Sequence, residues 1–171
     1  MSTRNVYYGA VIQGVKDFGE RAHVSRTLID AIKSCGYEVV SEHVTARSRK
    51  EIDEILEMEM GPVPPRGHAD RKSYIRDKLI EMTEGDIVAA VFEVSVPSLG
   101  TGAELEHSCL RPRMGLPEIP ILALYQKDYW PNNLSTMVSG VKLPNFQLIE
   151  YIDLDGAEAR IIQFLEKIES G

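Results

Sequence analysis

The segment from Ile87 to Phe92 restricts the fold of this chain more than any other, because every one of its residues is apolar. A continuous apolar run suits a strand that is covered on both faces, which is the environment of central strands in parallel sheets. A strand with one solvated face would instead alternate apolar and polar residues. The run therefore predicts a parallel sheet with helices on both faces.

Shorter apolar segments alternate with helical patterns along the rest of the chain. Strands are predicted at residues 6–12, 38–43, 87–92, 119–125 and 146–151. Helices are predicted at about residues 17–35, 48–58, 69–84, from about 101, 132–139 and 155–168. This alternation predicts an α/β fold with a five-stranded parallel sheet of the Rossmann-like or flavodoxin-like type. In such sheets ligands bind at the carboxyl ends of the strands, near the point where the strand order reverses.

The chain is predicted to form one domain. Its 171 residues are enough for one hydrophobic core. The segment Gly61–Gly67 contains three prolines and two glycines, which excludes a helix or a central strand there. Neither side of this segment is long enough for a separate domain, so we expect a mobile loop at about residues 59–69 within a single domain spanning 1–171.

Composition excludes several classes of function. A net charge of −7 argues against binding of nucleic acid polymers, which needs a basic surface, but a small phosphate ligand stays compatible with it. No apolar run reaches the roughly 18 residues of a membrane span, and the first residues do not have the layout of a signal peptide. We therefore expect a protein of the cytoplasm, or of the nucleus in a eukaryotic cell, without membrane association.

Cysteine and histidine spacing predicts neither a disulfide nor a metal site. Cys35 and Cys109 are far apart in the chain, and we expect both as unpaired thiols. His23, His68 and His107 do not have the spacing of metal ligands. The sequence predicts no metal and no cofactor.

The segment that follows the central strand contains the strongest functional signal. Two glycines and Ser98 precede a predicted helix, and the free N–H groups of such a helix start can bind a phosphate. Glu104 falls in the first turn of this helix. From spacing alone, its carboxylate could complement the helix dipole or take part in chemistry, and the pattern does not decide between them.

The residues from Pro97 to Leu105 resemble the Pro-Ser-Leu-Gly-x-Gly-x-Glu-Leu signature of the 2'-deoxynucleoside 5'-phosphate N-hydrolases, within the nucleoside 2-deoxyribosyltransferase superfamily. Tyr7, Glu42-His43-Val44 and the segment Leu134–Met137 match further family segments in the same order, so the resemblance extends over about residues 6–165. It implies hydrolysis of 2'-deoxynucleoside 5'-monophosphates to free base and deoxyribose 5-phosphate. A transferase that exchanges bases, and a nucleotide-binding module without catalysis, are the alternatives.

The resemblance also implies catalytic roles. Glu104 would attack the anomeric carbon and form a covalent glycosyl–enzyme intermediate. Asp77 would be the acid/base group at the leaving base, or would hold the sugar, unless it is only a solvated helix residue. Tyr7 would orient Glu104, unless it belongs to the core alone.

Binding roles follow in the same way. Ser98 and the N–H groups around Gly100 and Gly102 would bind the 5'-phosphate. His43 would line the base or sugar pocket, although backbone groups could equally satisfy a histidine at the end of a strand. Ser135 would reach the phosphate across the interface of a homodimer, or would only cap a short helix.

Two features depart from the family pattern. The first loop of the family reads Gly-Ser-Ile-Arg-Gly-Gly, whereas residues 10–15 lack both the serine and the arginine. Gln13 and Lys16 are the residues of this region that would bind the substrate, although Gln13 cannot replace the charge of an arginine and Lys16 could replace it only as a point charge. The stretch from Asp77 to Glu93 is about three residues longer than expected, which makes Glu81 the alternative carboxylate on that helix.

Overall fold

The computed structural model describes residues 4–12, 18–129 and 134–170, and these contain five strands and six α-helices. In chain order they are β1 (Asn5–Gly9), α1 (Phe18–Ser34), β2 (Glu38–Val39), α2 (Arg49–Met60), α3 (Arg71–Glu84), β3 (Ala89–Glu93), α4 (Leu99–Cys109), β4 (Ile121–Gln126), α5 (Thr136–Ser139), β5 (Phe146–Tyr151) and α6 (Leu154–Glu169). Two short 3-10 helices span Glu42–Thr45 and Arg111–Met114. None of the helices in these ranges is both long and apolar enough to cross a membrane.

The strands form one parallel sheet in the order β2-β1-β3-β4-β5, which confirms the predicted fold class. From β1 the chain first adds β2 on one side and then returns to place β3 on the other side. The order therefore reverses between β1 and β3. The carboxyl ends of these two strands are where a ligand site is expected.

Consecutive residues of β1 point to opposite faces of the sheet and so belong to different cores. Tyr8 packs on the face that α1 and α6 cover, where Leu28 and Phe164 are buried with it. Tyr7 packs on the opposite face with Leu105 of α4. Both tyrosine side chains are fully buried, so both faces of the sheet are covered at this strand. The central strands therefore need apolar residues at every position.

Side-chain caps fix where α2, α4 and α6 begin. Ser48 accepts a hydrogen bond from the N–H of Glu51 at 3.2 Å, which caps α2. Ser98 caps α4 and Asp153 caps α6 in the same way. Such caps supply a partner for N–H groups that a helix cannot satisfy internally.

The second strand is shorter than the sequence predicts. It ends at Val39, because the Ser41 side chain takes over the pairing with β1. The Ser41 hydroxyl accepts the Tyr8 N–H at 2.9 Å and donates to the Tyr8 carbonyl at 2.7 Å. His43, predicted at the end of the strand, lies instead in the 3-10 helix Glu42–Thr45.

The proline-rich segment between α2 and α3 has defined contacts with both helices. Val63 is buried, and the Pro64 carbonyl accepts a hydrogen bond from Arg71 at 2.6 Å. The Tyr74 hydroxyl donates to the Met60 carbonyl at 2.7 Å. The mobility expected of this segment stays a prediction.

Candidate active site

A cavity of about 1010 Å³ opens at the carboxyl ends of β1 and β3. Ala10 and His43 line it from one side, and Ser98 and Glu104 line it from α4 and the residue before it. Helices α2 and α3 form the rest of the wall. Its volume is at the upper end of the range for small-molecule sites, and its position is the one predicted from the strand order.

Glu104 reaches over the end of β1. A Cβ atom placed on Gly9 would lie 3.2 Å from Oε2 of Glu104 and 2.5 Å from two ring carbons of Phe92. Glycine at position 9 therefore leaves the space that the carboxylate occupies. The sequence predicts Glu104 in the first turn of this helix. Because α4 begins at Leu99, Glu104 lies in the second turn instead. The Glu104 side chain lines the cavity, so an interaction with the helix dipole does not explain its position.

The environment of Glu104 favours a carboxylate that takes up a proton easily. Burial raises the pKa of Glu104, while the nearby His43 and the Tyr7 hydroxyl act in the opposite direction. Burial, followed by the neighbouring Glu104, also raises the pKa of Tyr7. The Tyr7 hydroxyl is buried without a hydrogen bond of ordinary geometry among the described residues. Tyr7 and Glu104 are thus close enough to influence each other but lack a well-formed hydrogen bond.

His43 is buried at the cavity wall and is held by Glu59 of α2. Its Nδ1 lies 2.7 Å from Oε2 of Glu59. The other oxygen, Oε1, accepts the N–H of His43 at 3.0 Å and also that of Glu42. Glu59 therefore fixes both the imidazole ring and the backbone that carries it. Glu59 could not be found from the sequence, because it is 16 residues from His43.

The predicted phosphate site is only partly assembled at the cavity. Ser98, Gly100 and Thr101 line it, and the Ser98 hydroxyl accepts the N–H of Thr101 at 3.3 Å. Gly102 does not line the cavity, and its N–H already donates to the Ser98 carbonyl at 3.0 Å. A phosphate contact from the Gly102 N–H is therefore not available, because α4 starts two residues earlier than predicted.

Asp77 lies outside the cavity of its own chain. Its side chain is 63% exposed and pairs with Arg76 at 3.1 Å. Glu81, the alternative, is also exposed and pairs with Lys78. Within one chain the structure brings neither carboxylate to Glu104, and a catalytic role of Asp77 stays a prediction.

A group of basic residues on the cavity wall was missed at the sequence level. We call it the basic wall, and its members are Arg49, Arg66, Arg71 and Lys72. Asp53, which also lines the cavity, accepts the Nε–H of Arg66 at 2.6 Å and forms an ion pair with Arg71. Arg49 and Lys72 have no ion-pair partner among residues 4–12, 18–129 and 134–170.

The sequence did contain a signal for the basic wall. Arg49 is the first residue of α2, and Arg71 and Lys72 are the first two of α3. Positive side chains are unfavourable at the positive end of a helix dipole. Basic residues at two successive helix starts therefore indicate a requirement other than helix stability.

The remaining predicted site residues lie outside this cavity or outside the described residues. Ser135 caps α5 by accepting the Met137 N–H at 3.3 Å, and it is exposed. Gln13 and Lys16 lie outside the residues that the structure describes. In the part of the chain that is described, no three His, Cys, Asp or Glu side chains are grouped so as to hold a metal ion.

A second buried carboxylate, Glu93, ends β3 but does not line the cavity. Tyr151 donates its hydroxyl to Oε1 of Glu93 at 3.0 Å. Arg21 lies 3.4 Å from Oε2, and Ser95 donates both its hydroxyl and its N–H to Oε1. Burial raises the pKa of Glu93, and these partners oppose that shift.

Fold and site together define a class: a parallel α/β protein whose half-buried glutamate faces a cavity, beside a helix start suited to a phosphate. A protein of Thermofilum pendens with the provisional name 2'-deoxynucleoside 5'-phosphate N-hydrolase 1 is 32% identical over 166 residues, which cover 96% of this chain and 92% of that protein. No family model matches the chain. At this identity and coverage, the chain belongs to the 2'-deoxynucleoside 5'-phosphate N-hydrolase family.

Proposed function

We propose that this protein hydrolyses the N-glycosidic bond of 2'-deoxynucleoside 5'-monophosphates and releases the free base and deoxyribose 5-phosphate. The observation that carries the proposal is the half-buried Glu104 carboxylate, which lines the same cavity as the start of α4. A nucleophile and a phosphate-binding helix start in one cavity suit a substrate that has its phosphate close to its reacting carbon. The name of the Thermofilum pendens relative describes the same reaction.

In the proposed mechanism, an oxygen of Glu104 bonds to C1' as the bond from C1' to the base nitrogen breaks. The electron pair of that bond leaves with the base, which takes up a proton. Water then attacks C1', the Glu104–C1' bond breaks, and the carboxylate is restored. Two displacements at one carbon with a carboxylate nucleophile are the scheme of retaining glycosidases. Tyr7, close to Glu104, stabilises the ionised form before attack.

The phosphate would be bound at the start of α4. The Ser98 hydroxyl accepts from Thr101, so its own proton is free to be donated to a phosphate oxygen. Gly100 lies in the first turn, where N–H groups have no partner within the helix. Arg49 and Lys72 of the basic wall supply the positive charge that the first loop lacks.

We also propose that two copies of the chain form a homodimer that brings Ser135 to the phosphate of the partner's site. Leu99 at the start of α4 is 96% exposed, and Met137 beside Ser135 is 78% exposed. Exposed apolar side chains of this size, next to site residues, favour a protein interface. The unpaired thiols of Cys35 and Cys109 fit the reducing cytoplasm, where we place the reaction.

The decisive experiment incubates the purified protein with each of the common 2'-deoxynucleoside 5'-monophosphates, with and without a second free base. Release of base and deoxyribose 5-phosphate is expected in both conditions. A nucleotide that carries the second base would establish the transferase alternative instead. Thermal stabilisation by nucleotides without any base release would establish a binding module.

A further inference from the structure

Glu59 holds the His43 ring in one orientation at the wall of the cavity. Oε1 of Glu59 accepts the backbone N–H groups of Glu42 and His43, and Oε2 lies 2.7 Å from Nδ1 of the ring. Both side chains are nearly buried, with 11% of the Glu59 side chain and 4% of the His43 side chain exposed. The ring is therefore fixed in its plane as well as in its position.

The contact with Glu59 leaves the other ring nitrogen of His43 to a ligand. An ionised carboxylate only accepts hydrogen bonds, so Nδ1 is the donor to Glu59 and carries a proton. Nε2 has no hydrogen-bond partner among the described residues, and His43 lines the cavity that Glu104 faces. Nε2 accepts a hydrogen bond when the ring is neutral and donates one when the ring is charged. A hydroxyl group suits both states, because it can donate and accept.

The strand order places Glu104 between His43 and the proposed phosphate site. His43 follows β2, Glu104 reaches over the end of β1, and Ser98 follows β3. In the sheet, β1 lies between β2 and β3. A substrate whose phosphate is bound at the start of α4 and whose C1' faces Glu104 therefore meets His43 on the side away from its phosphate.

The stereochemistry of the sugar determines which of its groups lies on that side. In the proposed mechanism, Glu104 attacks C1' from the face opposite to the base. The 3'-hydroxyl of a 2'-deoxynucleotide projects from this same face, whereas the base and C5' project from the other. The edge of the ring away from O4' consists of C2' and C3', and of these only C3' carries a hydroxyl. The 3'-hydroxyl is therefore the sugar group that meets His43.

We propose that Nε2 of His43 forms a hydrogen bond with the 3'-hydroxyl of the substrate, so that the site selects nucleotides that carry this hydroxyl. This rests on the proposed function. A 2',3'-dideoxynucleotide would leave Nε2 without a partner in a nearly buried place, and sites built to bind a hydroxyl reject analogues that lack it. His43 binds the sugar in this role and transfers no proton, which is compatible with the acid/base role that the family resemblance implies for Asp77.

The experiment compares a 2'-deoxynucleoside 5'-monophosphate with its 2',3'-dideoxy analogue in the wild-type protein and in His43→Asn. The asparagine retains an N–H for Glu59 but has no atom in the place of Nε2. The missing hydroxyl also changes the intrinsic reactivity of the sugar, and this change cancels when the two proteins are compared. Glu57→Gln, on an exposed neighbour of Glu59 in α2, is the matched control.

His43→Asn should lower the preference for the deoxynucleotide over its dideoxy analogue, given as the ratio of their kcat/KM values. We expect a decrease on the order of 10–100-fold, the cost of leaving a buried hydrogen-bonding group unsatisfied. The variant should lose activity on the deoxynucleotide and little on the dideoxy analogue, and Glu57→Gln should keep the wild-type ratio. If His43→Asn kept that ratio too, another group would hold the 3'-hydroxyl and the proposal would be overturned.

Binding measurements keep the proposal testable if His43→Asn does not fold. In Glu104→Gln, which is expected to bind nucleotides without cleaving them, the Kd of the dideoxy analogue should exceed that of the deoxynucleotide on the order of 10–100-fold. The ¹⁵N NMR signal of Nε2 of His43 should shift with the deoxynucleotide and much less with the analogue. Equal Kd values and equal shifts would overturn the proposal while leaving the hydrolase function intact. A wild-type protein that releases no base from any 2'-deoxynucleoside 5'-monophosphate would overturn the proposed function itself.

Discussion

Glu93 is a buried carboxylate and Glu104, eleven positions further on, is a half-buried one, and the two differ in what surrounds them. Burial raises the pKa of both. Glu93 has three polar partners, Arg21, Ser95 and Tyr151, that satisfy its oxygens. Within the described part of the chain, Glu104 has Tyr7 and His43 nearby and faces a cavity. A buried carboxylate with all its partners stabilises the fold, whereas one that lacks them is available to a substrate.

Among the substitutions that test this difference between the two glutamates, Glu104→Gln is expected to have the largest effect. Turnover of a 2'-deoxynucleoside 5'-monophosphate should fall by about 10⁴-fold, the scale seen when a group that acts in bond formation is removed. The melting temperature should stay unchanged or rise, since Glu104 forms no ion pair with any residue that the structure describes. Chromatography of the released base measures turnover, and thermal unfolding measures the melting temperature. Glu106→Gln, at the exposed neighbour two residues on, is the control, and a Glu104→Gln variant of near-normal activity would contradict the mechanism.

Glu93→Gln should lower stability and leave turnover nearly unchanged, which is the opposite of the result expected for Glu104→Gln. Removing this charge takes the buried carboxylate away from Arg21, whose guanidinium keeps the ion pair with the half-exposed Glu20, and the loss should cost up to about 3–5 kcal/mol of unfolding free energy. Urea unfolding measures this loss, and kcat of the folded protein should change little. Arg21→Met combined with Glu93→Gln should recover much of the stability. If Glu93→Gln instead abolished catalysis without destabilising the protein, the assignment of the two glutamates would be reversed.

The basic wall can be tested by Arg49→Ala combined with Lys72→Ala. Hydrogen bonds to charged groups contribute about 1.5–3 kcal/mol each, so each of the two substitutions should raise KM by roughly 10–100-fold with little change in kcat. The dependence of KM on salt should also weaken. Lys50→Ala, at a fully solvated neighbour, controls for the general loss of charge. An unchanged KM would mean that the phosphate depends on α4 alone.

Tyr7→Phe tests the acid side of the pH profile. Because burial raises the Glu104 pKa above its usual 4.5, kcat/KM should fall with acid at a pH above 4.5. Tyr7 opposes this shift, so its removal should move the acid limb further up by about one pH unit or less, the worth of one hydrogen bond. The raised pKa of the Glu104 carboxyl also affects stability: the folded protein gains stability as the pH falls through that pKa. An acid limb that moved down would contradict the role of Tyr7.

The smallest effect is expected from Asp77→Asn. Asp77 is exposed and paired only with its neighbour Arg76, and substitutions at such surface positions change stability by at most about 0.5 kcal/mol. We expect kcat/KM to change by no more than about twofold, measured alongside Glu104→Gln. A loss beyond tenfold would place Asp77 in the site, through a dimer or a movement of α3.

The sequence was sufficient for the sheet and for Glu104, because both depend on local patterns. An apolar run identifies a central strand, and a glycine-rich helix start after that strand identifies the phosphate end. It was not sufficient for the turn that carries His43, because the Ser41 side chain and Glu59 replace the expected strand pairing there. These contacts join residues 16 to 33 positions apart, which no periodicity reveals.

The basic wall and the position of Asp77 were harder to predict from the sequence, for different reasons. Asp53 joins α2 to Arg66 and Arg71, so the wall exists only once the proline-rich segment has folded back on α2. Asp77 lies on a helix of regular spacing, and there an alignment error of one to three residues moves a side chain from the cavity side to solvent. Pattern alone does not establish which face of α3 meets the ligand.

Gly9 has a consequence for anyone who alters this protein. A single added methyl group there would enter the space of both the Phe92 ring and the Glu104 carboxylate. The Phe92 ring is the nearer of the two and is fully enclosed, so the ring or the backbone of the first strand would have to shift. Alanine at this position would therefore disturb the central strands, and the carboxylate would have to move with them by a few tenths of an ångström, although every side chain of the proposed reaction stays chemically intact.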